Sequence, residues 1–186
     1  MVHGDDHGLR LPPSIAPTQV VIVPFFKNEN ELNSINKFID KNLDELSNST
    51  LRYHIDYREK VSPGFKFNEW ELKGVPIRLE IGSKEIENNQ ITMFRRDLNT
   101  KEVFDVSGIY NIIKSKLDDI QENIYSQANK FLNDNTFVSD NYSDFKNKIS
   151  DGGFVRCGWD GTQETEQKIK EDTKATIRCI PFDESI

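Results

Sequence analysis

The chain has 186 residues, of which 24 are Lys or Arg and 31 Asp or Glu, for a net charge of −7. That length holds one ordinary domain or two small ones, and 35% hydrophobic residues with twelve phenylalanines exclude a disordered chain. No apolar run reaches the ~18 residues of a membrane span, and the polar, acidic residues 1–6 are unlike a secretory signal.

The charge is unevenly spread. Residues 58–101 hold nine basic and seven acidic side chains, whereas the segments on either side are net acidic, so the middle third is where a phosphate would meet least repulsion. Cys157 and Cys179 suggest no disulfide framework, and a reducing cytoplasm is the expected compartment.

In chain order, the Pro-rich residues 1–17 carry no period and are expected to be an extended arm, the severed end of a preceding domain. Val20, Val21, Ile22 and Val23 form a continuous β-branched run between prolines, the mark of a strand covered on both faces. Leu32, Ile35, Phe38, Ile39, Leu43 and Leu46 recur at helical spacing behind a capping-box variant, Asn28 with Glu31. Leu51, Tyr53 and Ile55 alternate as a second strand. Ser62 and Pro63 open a helix as N-cap and first residue, and Gly74 with Pro76 closes it.

Ile77, Leu79 and Ile81 predict a third strand, and residues 90–95 and 102–106 two more, joined by a turn over 97–100. Ser107 begins the longest helical pattern, through Ile113, Ile120 and Phe131. Beyond it, a helix over 144–149, a strand over 154–157, a helix over 162–173 and a strand over 175–180 are expected. The fold class is therefore α/β: a mixed five-stranded sheet flanked by helices, plus a small α/β C-terminal domain. The expected division is a tail or linker over 1–17, a first α/β domain over 18–106, a connecting helix over 107–133 and a second domain over 134–186, whose end looks cut short.

Several residues invite chemistry. His3, Asp5, Asp6 and His7 cluster as a metal set would, yet they lie on a terminal arm containing a glycine, with no third element to close a site. Cys157 and Cys179 lack a CxxC or Cys/His partner, and Cys179 on an apolar strand is expected to be buried packing. No Gly-rich phosphate loop is present. No catalytic residue and no metal ligand is assigned. His54 falls on an alternating strand as a solvated or lightly packed side chain.

Residues 62–78, SPGFKFNEWELKGVPIR, differ by interleaving aromatics with Lys, Arg and Glu at a helix start and along the next strand. Aromatic faces take unstacked bases, cations take phosphates or guanine O6 and N7, and a carboxylate accepts from guanine N1–H and N2–H. The alternative is an amphipathic helix with Phe67 and Trp70 in the core.

This stretch, continued as LEIGSKEIENNQ, resembles the anticodon-binding domain of prolyl-tRNA synthetases of the archaeal and eukaryote-like type. HGDDHGLRLPPSIAPTQVVIVP is similar to that family's passage out of its class II catalytic domain, and GFVRCGWDGTQETEQKIKEDTKATIRCIPFD to its extra C-terminal domain. The resemblance implies the class II anticodon-binding fold in a ligase that joins proline to tRNA(Pro) with ATP and Mg²⁺. The catalytic motifs would lie upstream, so the chain itself would need no cofactor and would bind tRNA without activating proline.

It also implies an anticodon-reading set at the matching positions. Phe67 would be a stacking face, Glu71 a guanine acceptor, and Arg78 and Lys84 donors to base or phosphate; Glu85 stands where relatives can have Asp. Many relatives hold zinc with four cysteines, but two of those positions fall on Asp160 and Thr165 here, so no zinc is expected. Full-length relatives would be homodimers through the catalytic domain, and this piece a monomer. The competing readings are the anticodon domain of a histidyl-, threonyl- or glycyl-tRNA synthetase, a stand-alone RNA-binding or regulatory module on the same fold, and a metal hydrolase built on His3 and His7.

Overall fold

The computed structural model describes residues 3–180. They divide into two compact units, one ending at Ser126 and the other beginning at Gln127. The first residues are not an extended arm. β1 (Gly4–Asp5) and β2 (Gly8–Leu9) form an antiparallel hairpin, because Arg96 supplies what a period-free segment lacks. That guanidinium is 1% exposed; its Nη1 donates to Asp5 Oδ2 at 2.8 Å, and Nη2 donates to the Gly8 carbonyl at 3.2 Å. Gly8, at φ +130°, lies so close to the chain at Leu72 that a Cβ would stand 2.5 Å from the Leu72 Cα. Arg52 then fastens the prolines, donating to the carbonyls of Pro13 and Ala16 at 2.8 Å each.

The next element is β3 (Val20–Pro24), buried along its whole length. α1 (Glu29–Asn42) follows, capped by Asn28, whose side chain accepts from Glu31 N–H at 2.9 Å. Glu31 reaches one residue further back than a capping box requires, accepting from Lys27 N–H. The helical period ran through Leu46, but the helix stops at Leu43 and a separate turn, α2 (Asp44–Ser47), buries Leu46.

β4 (Tyr53–Ile55) leads to α3 (Pro63–Leu72), with Ser62 as N-cap, Pro63 in the first turn and Gly74 at φ +73° beyond its end. β5 (Ile77–Ile81) is followed by a short helix that the sequence pattern did not predict, α4 (Ser83–Asn88). β6 (Gln90–Arg95) and β7 (Thr100–Asp105) form a hairpin, and α5 (Ile109–Asp134) follows.

The five strands β3 to β7 make one mixed sheet of order β4-β3-β5-β6-β7, with β3, β4 and β5 parallel and β6 and β7 antiparallel. Alternation sends Val20, Ile22, Ile77, Leu79 and Ile81 to one core, with α1 and α5, and Val21 and Val23 to a second, with Trp70 and Val75. Each strand residue therefore belongs to one of two chemically different faces.

The second unit is built from β8 (Thr136–Val138) paired in parallel with β9 (Phe154–Arg156), α6 (Tyr142–Ser150) and α7 (Gln163–Thr173). Phe145 is its buried apolar side chain among the described residues. The strand expected over 175–180 does not form: β8 pairs with β9, and residues 175–180 have no strand partner. Cys179 is accordingly exposed rather than buried, as is Cys157. Asp160 and Thr165, at the positions where relatives have cysteines, hydrogen-bond each other at 2.6 Å beside the N-cap Thr162.

Candidate nucleic-acid interface

The sheet face shared with α3 carries two cross-strand rows. Register aligns His54, Val21, Arg78, Phe94 and Lys101 in one row, and Val23, Glu80, Thr92 and Val103 in the next. α3 lies over the β3 end of these rows through Trp70, while at the β7 end Val103 is 59% exposed. The open part of the face thus presents polar and aromatic groups from β5, β6 and β7.

At its centre is the Arg78 guanidinium, with its carbon 3.9 Å from the Phe67 ring centroid and 4.2 Å from that of Phe94. Nη1 donates to Glu71 Oε1 at 2.6 Å, and Nε and Nη2 both donate to Glu80 Oε1 at 3.1 Å. Lys101 Nζ closes the other side of Glu80 at 2.8 Å. Two cations and two carboxylates balance here, so the buried charge is paired, as a low-dielectric site demands.

This arrangement corrects the expectation that Arg78 projects as a donor. It is 3% exposed, and three of its nitrogens already donate to carboxylates. Glu71 is different: its side chain is 25% exposed, and its second oxygen has no hydrogen bond among the described residues. Phe67 is half-buried, with its ring meeting Phe25 edge-to-face at 5.7 Å.

Lys84 is exposed on α4, and its ammonium has no ion pair among the described residues. Glu85, half-buried, accepts from Gly82 N–H at 3.0 Å and from the Thr92 hydroxyl at 3.3 Å, so it caps the N-terminus of α4 as well as facing the sheet. A glutamate reaches this cap from the third helical position, and spare lone pairs remain on both oxygens.

Glu80, Phe94 and Lys101 escaped the sequence reading. The signal for Glu80 was the strand Ile-Arg-Leu-Glu-Ile, in which opposite charges two apart on a buried strand imply ion pairing on one face. Asp56 was missed as well. It is 1% exposed, accepts from Trp70 Nε1–H at 2.9 Å and from Arg58, and its carbonyl accepts from Lys66 Nζ at 2.9 Å. Burial works to raise the Asp56 carboxyl, but hydrogen bonds from Arg58 and Trp70 and the Lys66 charge outweigh it and hold the group well below the usual carboxylate range. The tie fixes α3, and with it Phe67 and Glu71, to the end of β4.

Residues 19–116 match the family model described as "Anticodon binding domain", more than half of the chain, and the chain belongs to that family. Residues 142–186 match the model "Prolyl-tRNA synthetase, C-terminal". Among curated relatives, the chain is 47% identical over 182 residues to the proline–tRNA ligase of Porphyromonas gingivalis, and 48% identical over 184 residues to that of Cytophaga hutchinsonii. In both cases 98% of the chain is covered, but it spans only 37% and 38% of the relatives' lengths. The crystal structure of prolyl-tRNA synthetase from Cryptosporidium parvum, complexed with L-proline and AMP, superposes with a TM-score of 0.88 at 29% identity, covering 98% of this chain and 40% of that one.

Proposed function

We propose that this chain reads the anticodon of tRNA(Pro) for a proline–tRNA ligase. The observation that carries the proposal is the half-buried Glu71 carboxylate, held by Arg78 on one oxygen and open on the other, beside the Phe67 ring. Guanine offers N1–H and N2–H to such a carboxylate, and its π-face suits an aromatic neighbour. Arg78 acts as the positioning residue: it fixes Glu71 in one rotamer, and Glu80 and Lys101 fix Arg78. Lys84 and Glu85, at the start of α4, extend the set towards a neighbouring nucleotide.

In this reading ATP and Mg²⁺ belong to the remainder of the ligase. The described residues bring together no group of three His, Cys, Asp or Glu placed to hold a metal. The chain is proposed to bind tRNA without activating proline, to act in the cytoplasm and to be monomeric when isolated, with dimerisation left to the catalytic part. Two comparisons favour this over a stand-alone module: the second model match over residues 142–186, and the near-complete coverage of the chain by proline–tRNA ligases.

Fluorescence titration of a proline anticodon stem-loop against a loop with its anticodon guanines replaced by adenine tests the proposal. Preferential binding of the guanine loop is the expected result. Equal binding of both would refute base reading on this surface.

A further inference from the structure

The carboxyl ends of the parallel strands hold a second feature, separate from the sheet face. The link from β3 to β4 runs through α1 in the apolar core, whereas that from β4 to β5 runs through α3 against the opposite core. The strand order β4-β3-β5 therefore parts at β3, which makes a crevice outside the strand ends, the position where open α/β sheets take ligands. A cleft of about 710 Å³ occupies it, walled by the ends of β3 and β5, the loop into α3 and the start of α4.

Five cationic and three acidic side chains line this cleft, in a chain whose net charge is −7. The acidic groups are largely spent. Glu31 accepts from Lys27 N–H, and Glu85 from Gly82 N–H, leaving Glu59 as the lining carboxylate without a hydrogen bond or ion pair among the described residues. Of the cations, Arg58 pairs with Asp56 and Glu69, and Lys66 is held at the Asp56 carbonyl. Lys27, Lys60 and Lys84 are exposed and have no ion pair among the described residues. Phe25 lines the cleft and also meets the Phe67 ring, so one aromatic wall separates the cleft from the sheet face.

We infer that this cleft seats a phosphodiester of the bound RNA, held by Lys27 and Lys60, next to the base that meets Glu71. Unpaired ammonium groups around a polar hollow are point-charge partners for phosphate. The shared Phe25 wall puts the hollow beside a base at Phe67, which is where the backbone of a neighbouring nucleotide has to run. The inference rests on the anticodon-reading proposal and adds to it the path of the strand.

The test is the salt dependence of stem-loop binding by the whole chain. For single strands each lost phosphate contact flattens the slope of log K against log salt by about 0.7, so Lys27→Gln with Lys60→Gln, which strips the one seated phosphodiester of its cations, is expected to flatten it by about that amount. The preference for guanine should stay as in the wild type. Lys27→Arg with Lys60→Arg should restore the slope, and Lys37→Gln with Lys41→Gln on α1 should leave it unchanged.

An unchanged slope in the first pair, or equal flattening in the α1 pair, overturns the inference. So does saturable binding of inorganic pyrophosphate that the first pair abolishes while the RNA slope stays intact, because the cleft would then be a site for a free phosphate compound. A wild-type chain with no guanine preference defeats the base-reading proposal instead. A discriminating wild type with a slope insensitive to Lys27 and Lys60 defeats only this one.

Discussion

A single strand, Ile77–Ile81, shows how differently the two faces of the sheet are used. Its odd-numbered residues, Ile77, Leu79 and Ile81, are fully buried against α1 and α5, in a core with no polar chemistry to offer. Its even-numbered residues, Arg78 and Glu80, sit on the other face in a network with Glu71 and Lys101, between aromatic rings. In the proposed reading, stability and recognition are thus separated by one residue of register, since side chains alternate across a sheet. A change on the first face should alter how much protein is folded, and a change on the second should alter what the folded protein prefers.

The sharpest way to break that division is Leu79→Ala. It should cost about 3 to 4 kcal/mol in urea unfolding, as large-to-small changes in a sealed core do, while the guanine preference of the folded fraction stays intact. Asp5→Ala comes next. It strips the buried Arg96 of its carboxylate and should cost about 3 kcal/mol, the low end for breaking a buried ion pair, because Gly8 and Asn99 still accept from the guanidinium. Were Asp5→Ala neutral, the hairpin would be an ornament rather than part of the first unit.

Glu80→Gln should have a mixed signature. Loss of one charged acceptor under Arg78 should cost about 2 kcal/mol of stability, and the loosened Arg78 should weaken the preference for guanine. A stability loss with preference fully retained would place Glu80 with the apolar face instead.

A smaller effect concerns acid. The Asp56 carboxyl is held below its unfolded value, so its contribution to stability is complete above about pH 3.9 and is lost as pH falls from there through the depressed folded value. Asp5 is depressed in the same direction, chiefly by the Arg96 hydrogen bond. Asp56→Asn should therefore flatten the fall in urea midpoint between pH 5 and pH 2, and an unaltered fall would remove Asp56 from the acid limb.

Much of this architecture was legible in the sequence, and the failures share a physical cause. The run Val-Val-Ile-Val declares a strand buried on both faces, and Ser62, Pro63 and Gly74 bracket α3, because caps and β-branched runs are local signals. The hairpin at residues 4–9 depends on Arg96, 91 positions from Asp5, and nothing near the hairpin announces it. α4 is six residues with no apolar period, so Glu85, which caps its N-terminus, was read only as a ligand contact. The apolar residues 175–180 satisfied strand periodicity but found no neighbouring strand, and pairing, not pattern, makes a strand. Within the candidate interface, Phe67, Glu71 and Arg78 do lie side by side in the fold, but the sequence could not tell that Arg78 lies beneath Glu71 rather than beside it.

In the proposed reading that vertical order makes Glu71 the group that meets the base, and replacing guanine by inosine in the anticodon loop addresses it alone, since inosine lacks only the exocyclic amine. The wild-type chain should bind the guanine loop about tenfold more tightly than the inosine loop, the worth of one hydrogen bond to a charged acceptor. Glu71→Gln should bind the two loops equally. If Glu71→Gln keeps the tenfold preference, the base is read elsewhere and the account of this face is wrong.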